Sequence, residues 1–311
     1  MKRIVFDQTL GQKEAVELVK SGDGRVDLVT ELSPLETRRV AQSPGAAVVK
    51  NRGVLRTVFG AFNMRRTGSP WRDARLRQAV NLAVNRRDVI QYAARGNGVV
   101  IPALISPQDF GYDRTLPPFP FDPGKARERL REAGPPGGLG VRLIAPGDLE
   151  VQATVIGRML EEVGFKVERQ VLDPVTFNKK TFLPELDRPP EVQAWDLALF
   201  TAEDPFKFAF SDIYHYFALG GPFDWIGEEP ELRRLYEEML GTVDRDIQRG
   251  LLQEMERHTR DQAYFLFLYS PVQLFAVSKA VQVEPHPAGY LDLVTLAVTD
   301  RHWSLRKAVP R

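Results

Sequence analysis

Four histidines, several adjacent carboxylates and one acid-bearing aromatic stretch are the residues here with chemistry to offer. His215, His258, His286 and His302 stand apart. None has the i, i+4 helical partner or the neighbouring acids of a metalloprotease helix, so no metal site is read. Glu161-Glu162, Glu228-Glu229 and Glu237-Glu238 are sequence neighbours. Adjacent side chains on a helix diverge, which makes these solvated faces rather than acid–base pairs. There is no Gly-x-Ser-x-Gly elbow, no Walker loop and no dinucleotide glycine fingerprint. Gly134-Pro135-Pro136-Gly137-Gly138 is glycine-rich, but its prolines lack the N–H donors a phosphate needs, and it reads as a linker. Cysteine is absent, which removes disulfides, thiolate zinc and thiol catalysis together. Catalysis therefore has no visible seat, and no cofactor is expected.

The stretch Trp195 to Phe208 is the more suggestive one. An apolar run, broken only by Asp196, leads into Phe200-Thr201-Ala202-Glu203-Asp204-Pro205 and then further aromatics. In α/β folds ligands gather beyond the carboxyl ends of strands, and aromatic walls with one or two placed charges suit a small-molecule cleft. Phe200, Thr201, Ala202, Glu203 and Asp204 are therefore candidate ligand-binding residues. The alternative is that Asp204-Pro205 caps a helix and the aromatics are core.

The elements that must position this stretch alternate in type. Strand signals at Ile4–Phe6, Val26–Val29, Ala46–Lys50 and Leu55–Phe62 are separated by a helix over Lys13–Lys20 and a helix start at Ser33-Pro34. Trp71 to Arg95 is helical, with a fresh cap at Asn85 dividing it in two. Residues 96–121 have no period and read as a long loop. Asp122-Pro123 opens a helix that Gly134 ends. A strand (Val141–Ala145), a helix (Val151–Val163) and a strand (Phe165–Val171) form a β-α-β unit, and Asp173-Pro174 starts another helix. Glu229–Leu240 and Asp244–Gln262 are amphipathic helices, Tyr264–Leu268 and Val272–Val277 strands, and Leu291–Val298 a last strand. The order argues an α/β fold.

With 311 residues, 43% apolar and 18 phenylalanines, the chain can fill two lobes. A net charge of +1 provides no field for nucleic acid or an anionic membrane. No apolar run reaches transmembrane length, and the first residues carry no export signal.

Several landmarks in this order resemble one family. Phe62-Asn63 followed by Trp71-Arg72-Asp73-Ala74-Arg75-Leu76-Arg77-Gln78-Ala79-Val80-Asn81-Leu82-Ala83-Val84-Asn85-Arg86 resembles the signature region of the family 5 extracellular solute-binding proteins. Gly24-Arg25-Val26-Asp27-Leu28, Phe121-Asp122-Pro123 through Ala133-Gly134, Trp195–Phe208, Tyr264–Pro271 and Trp303-Ser304-Leu305 fit its other landmarks. These are the oligopeptide, dipeptide and nickel receptors of bacterial ABC importers. The resemblance implies a type II periplasmic-binding-protein-like α/β fold of two lobes joined by a hinge, with the first lobe incomplete because the chain begins inside it. Residues 1–63 with 275–311 would form that lobe and 64–274 the second, with Phe62, Asn63 and Pro271 at the hinge. It further implies a non-catalytic, monomeric, periplasmic or cell-surface receptor. The receptor would take a small solute, peptide foremost, and hand it to a membrane permease. A ligand-sensing module and a non-functional gene fragment are the alternatives. Peptide receptors of the family place an Asp after a Trp-bearing strand end. Here Phe200 stands where that Trp would be, and Glu203 is the best match to the Asp.

Overall fold

The computed structural model describes residues 3–52, 56–203, 212–286 and 294–305. The chain divides into two compact units, Met1–Val54 with Pro271–Arg311, and Leu55–Ser270.

The first unit begins with α1 (Gln12–Ser21), β1 (Leu28–Val29), α2 (Thr37–Ala41) and β2 (Ala46–Asn51). Residues 3–8, with Ile4, Val5 and Phe6 exposed, form no strand. Two of the three apolar side chains have nothing to pack on, so propensity alone does not hold a strand there. At Ser33-Pro34 the expected helix start is instead a turn, with Glu36 N–H donating to the Ser33 carbonyl at 3.0 Å.

The second unit takes up the chain with β3 (Arg56–Phe62), α3 (Ala74–Ala83), α4 (Arg86–Ala94), β4 (Gly98–Val100), α5 (Pro123–Ala133), β5 (Gly140–Pro146), α6 (Glu150–Val163), β6 (Lys166–Leu172), α7 (Pro174–Thr181), β7 (Leu197–Glu203), α8 (Asp212–Phe217), α9 (Pro230–Leu240), α10 (Arg245–Asp261) and β8 (Phe265–Pro271), whose last residue already counts with the first unit. The chain then completes the first unit with β9 (Gln273–Ser278), β10 (Val281–Gln282) and β11 (Ala297–Val298). The expected terminal strand shrinks to β11, and Leu291, Asp292 and Leu293 lie outside the described residues.

In the first unit β9 is central, antiparallel to both β1 and β2. Val16 and Val19 of α1 and Val40 of α2 pack with Ala46, Leu274 and Ala276 as its core. In the second unit six strands run β4-β8-β3-β7-β5-β6. β3 is antiparallel to β7 and β8, while β5 is parallel to β6 and β7.

Alternate residues of this sheet feed two cores. Val58, Phe62, Leu197, Leu199, Leu266 and Leu268 join Leu76, Val80, Val89, Ile156 and Leu160 on one face. Phe59, Ala61, Ala198, Phe200, Phe265 and Phe267 join Phe177, Tyr214, Leu235, Leu252 and Met255 on the other. Burial on both faces explains why β7 and β8 read as continuous apolar runs rather than alternating ones.

The division falls before β3, not after it. The expected boundaries at 63/64 and 274/275 are thus replaced by 54/55 and 270/271. The reason is hydrogen bonding: β3 pairs along its whole length with β7, from Arg56 with Glu203 to Phe62 with Leu197. Phe62 and Asn63 are consequently not at a crossing. Phe62 stacks on Trp71 with ring centroids 5.2 Å apart. Asn63 is fully buried, its Nδ2 donating to the Trp195 carbonyl at 3.2 Å and its Oδ1 accepting from Arg66 N–H at 3.0 Å. Pro271 stands at the second crossing.

Candidate functional site

β5, β6 and β7 all end at one edge of the six-stranded sheet, where Pro146, Leu172 and Glu203 lie. β3 starts at the same edge and β8 finishes there, since Arg56 pairs with Glu203 and Val58 with Tyr269. β3 therefore begins, and β8 ends, at the carboxyl edge of the parallel strands. That is where open α/β sheets bind ligands.

The candidate residues divide along β7. Phe200 is core: its ring lies 5.3 Å from Phe177, 5.2 Å from Phe217 and 5.5 Å from Phe223. It is only 5% exposed, so it forms no ligand wall. Thr201 and Glu203 are exposed and Ala202 half-buried, paired with Val58, Arg56 and Thr57 respectively. Glu203 Oε2 accepts from Arg56 Nη2 at 2.8 Å, giving the edge one carboxylate and one guanidinium side by side. Asp204 lies outside the described residues.

The neighbouring strand ends add polar groups. After β5 the chain makes a single turn at Gly147–Leu149 and enters α6, where Gln152 Nε2 donates to Tyr269 Oη at 2.9 Å. Burial raises the Tyr269 phenol above its ordinary value. After β6, Asp173 caps α7 by accepting Val175 and Thr176 N–H at 3.1 and 3.0 Å. The Thr176 hydroxyl and N–H hold its carboxyl below the usual range.

No cluster of three or more His, Asp or Glu able to hold a metal occurs among the described residues. In the first unit His302 Nδ1 lies 2.7 Å from Ser304 Oγ, and His302 Nε2 lies 3.1 Å from Asp27 Oδ1. This has the order of a hydrolytic relay. The same Nδ1, however, is approached at 3.3 Å by Ser304 N–H, and His302 acts as cap of the turn Trp303–Leu305.

The signature stretch is architectural. Arg77, buried in α3, donates to the carbonyls of Gln262 at 2.7 Å, Ala263 at 3.2 Å and Arg72 at 3.0 Å, and also to that of Trp71. Asn81 bridges to β8, its Nδ2 donating to Phe265 O at 2.9 Å and its Oδ1 accepting from Phe267 N–H at 3.3 Å. Arg86 Nε donates to Phe267 O at 2.7 Å, and its Nη2 donates to Asn81 Oδ1 at 2.8 Å. Burial lowers these guanidinium groups, Arg77 to about 10 and Arg86 to about 9, so both remain charged at neutral pH. Trp71 Nε1 donates to Asp196 at 3.2 Å, and Asp196 also takes Arg142 N–H at 2.9 Å and the Arg66 guanidinium. Asp196 interrupts the β7 run because it gathers these donors. The sequence carried a signal for this network in Arg77 and Asn81, whose i, i+4 spacing sets two polar residues together on α3.

The model of the bacterial extracellular solute-binding proteins, family 5 (middle), matches residues 1–188. The chain belongs to this family. The glutathione-binding protein GsiB of Escherichia coli K12 is 31% identical over 120 residues, which is 36% of this chain and 22% of that protein. The Haemophilus influenzae heme-binding protein A is 28% identical over 115 residues, 37% of this chain and 20% of that one. Among solved structures, the Listeria monocytogenes transporter substrate-binding protein CtaP superposes with a TM-score of 0.78 at 17% identity, covering 96% of this chain and 59% of that one. DppA of Helicobacter pylori, solved with the peptide STSA, gives 0.73 at 17% identity, covering 90% and 53%. The nickel-binding NikA of Staphylococcus aureus, solved with Ni(L-His)2, gives 0.74 at 14% identity, covering 92% and 60%. The fold is thus that of the type II periplasmic binding proteins. The chain spans about a fifth of the curated relatives it matches and 53–60% of these solved ones.

Proposed function

We propose that this chain acts as the solute-binding component of a bacterial ABC importer, taking up a small solute and passing it to a membrane permease without making or breaking a bond. The observation that carries this reading is that β3 begins and β8 ends at the carboxyl edge of the parallel strands, in a family 5 chain. Peptides or similar small solutes are the proposed class, and Thr201, Ala202, Glu203 and Asp204 are the proposed contacts. Glu203 would meet a cationic group of the solute. The segments at 54/55 and 270/271, Pro271 included, serve as the proposed hinge, since closure about a few element-terminal residues is the usual motion of such proteins. The receptor would work as a monomer in the periplasm or at the cell surface.

The test is a thermal-shift and calorimetric screen of the intact protein against short peptides, glutathione, nickel–histidine and haem. A solute at 100 times its Kd adds about 2.7 kcal/mol of stability, an easily measured rise in Tm. Stabilisation by one class, reduced in Glu203→Gln, supports the reading. If a folded, full-length sample is stabilised by none of these solutes, the reading fails.

A further inference from the structure

The long connection between β4 and α5, which the sequence marks only as an aperiodic loop, makes one wall of a groove. Its residues 107–115 lie against α10 around a space of about 520 Å³. That volume is in the range of small-molecule sites, and none of the residues lining it belongs to the carboxyl edge.

α10 supplies the other wall through its spacing. Arg245, Arg249, Gln253 and Arg257 follow one another at intervals of four and so share one stripe of the helix. Arg249, Gln253 and Arg257 line the groove, while Leu252 and Met255 turn into the core.

The connection is pinned on both sides of the groove. The Leu104 and Ile105 N–H groups donate to Glu256 at 3.1 and 3.2 Å, and Arg260 Nε donates to the Pro117 carbonyl at 2.7 Å. Between these anchors Gly111, at φ +90°, comes so near α10 that a Cβ there would lie 2.8 Å from Leu252. Phe110 and Tyr112 are thereby held in the wall. The guanidinium carbons of Arg245 and Arg249 lie 3.9 and 4.9 Å from the Phe110 ring centre.

The acids of the groove are engaged, whereas its arginines have donors left. Asp113 Oδ1 accepts the Thr115 N–H and hydroxyl at 2.9 and 2.6 Å, and its Oδ2 accepts Arg257 Nη1 at 2.8 Å. Asp109 accepts the Phe110 N–H at 2.9 Å. A guanidinium carries five N–H donors in a rigid fork. Arg257 directs Nη1 to Asp113, and Arg249 directs Nη1 to Asp246, whose side chain is 89% exposed, so that this pair is weak. Arg114 is exposed and has no hydrogen bond or ion pair among the described residues.

We propose that this groove binds a small anionic molecule by its carboxylate or phosphate group, with Arg114, Arg249 and Arg257 as the donors. Arginine bonds to these groups are charge-assisted and often two-pronged, and a guanidinium steadied on an aromatic face is oriented for them in advance. Three arginines and two aspartates line the groove. A neutral ligand would leave that surplus uncompensated, and a cation would add to it. The site is independent of the solute-binding role proposed at the β7 edge.

Titration calorimetry of the full chain with citrate and with inorganic pyrophosphate, at matched low ionic strength, tests the proposal. At least one of the two should bind at a single site with a Kd below about 1 mM and weaken as salt is raised. Arg114→Gln and Arg249→Gln should each weaken that binding about tenfold, the loss of one charged hydrogen bond. Arg158→Gln, which removes an exposed arginine of α6, should change it less than about twofold. Arg114→Gln breaks no bond of the fold, so its result stands apart from stability. The tighter of the two probes tells carboxylate from phosphate. Binding of neither probe overturns the proposal. So does binding that Arg114→Gln leaves unchanged, or that Arg158→Gln weakens equally, since the anion would then respond to net charge alone.

Discussion

Replacing Asn81 by leucine separates a scaffold role for the signature helix from a role in ligand contact. The two side chains are similar in size, so α3 keeps its packing and loses only polar atoms. Besides the Arg77 carbonyl within α3, three buried partners are left without their bond: the Phe265 carbonyl, the Phe267 N–H and one Arg86 nitrogen. Each stranded group costs about 1–3 kcal/mol, and a charged one falls at the upper end. The expected loss is about 5–9 kcal/mol, a large share of the ~5–15 kcal/mol by which domains are stable. For a unit of about 200 residues that corresponds to a fall in Tm of roughly 10 °C or more. Urea unfolding with a Phe or Trp fluorescence readout, run beside a thermal scan, measures it. A loss below about 1 kcal/mol at unchanged urea dependence would refute the reasoning. A variant of unchanged stability but abolished solute binding would show that Asn81 serves the ligand instead.

Other substitutions probe the remaining claims. Phe200→Ala should cost about 3–5 kcal/mol in unfolding experiments, because it empties an aromatic core. A ligand-wall phenylalanine would instead lose affinity with little loss of stability. Arg56→Gln and Glu203→Gln should each leave stability within about 1 kcal/mol, as befits a partly exposed pair, while shifting the affinity for the captured solute in calorimetry. Gly221→Ala should sharply reduce soluble yield and Tm, since a Cβ there would stand 1.8 Å from the His215 carbonyl oxygen, which is backbone and cannot swing aside.

The sequence showed the helices best. α4, α5, α6, α7 and α10 announce themselves through Asn85, Asp122, Gly164, Asp173 and Asp244, and four of these five residues accept N-terminal N–H groups while Gly164 ends α6 in the left-handed conformation. β4 was missed within 96–121 because its three residues take their order from pairing beside β8, a non-local cause that leaves no periodicity. The unit boundary was displaced for a similar reason. The family resemblance implied a crossing at Phe62-Asn63. The pairing of β3 with β7 instead places these residues deep in the second unit. At β7 the sequence left two readings open for its aromatics. Phe200 resolved to core because strand alternation turns it, with Ala198, toward Phe177 and Phe217.

The two layers of information sit in different parts of the chain. The matched family span ends at residue 188, and within it lie Arg77, Asn81 and Arg86, whose bonds go to backbone carbonyls and to one another. Those residues fix β8 against α3 and so fix where the chain leaves the sheet. Thr201, Ala202 and Glu203 lie beyond that span, on a strand end where Thr201 and Glu203 are exposed and Glu203 pairs with Arg56. A motif that builds the sheet identifies the family whatever the solute. The strand end can change its charges without disturbing either core, because Thr201 and Glu203 contribute to neither. On the proposed reading, specificity would be free to vary at Thr201 and Glu203 while the fold stays constant. Exchanging Thr201 and Glu203 should move solute preference and leave unfolding unchanged.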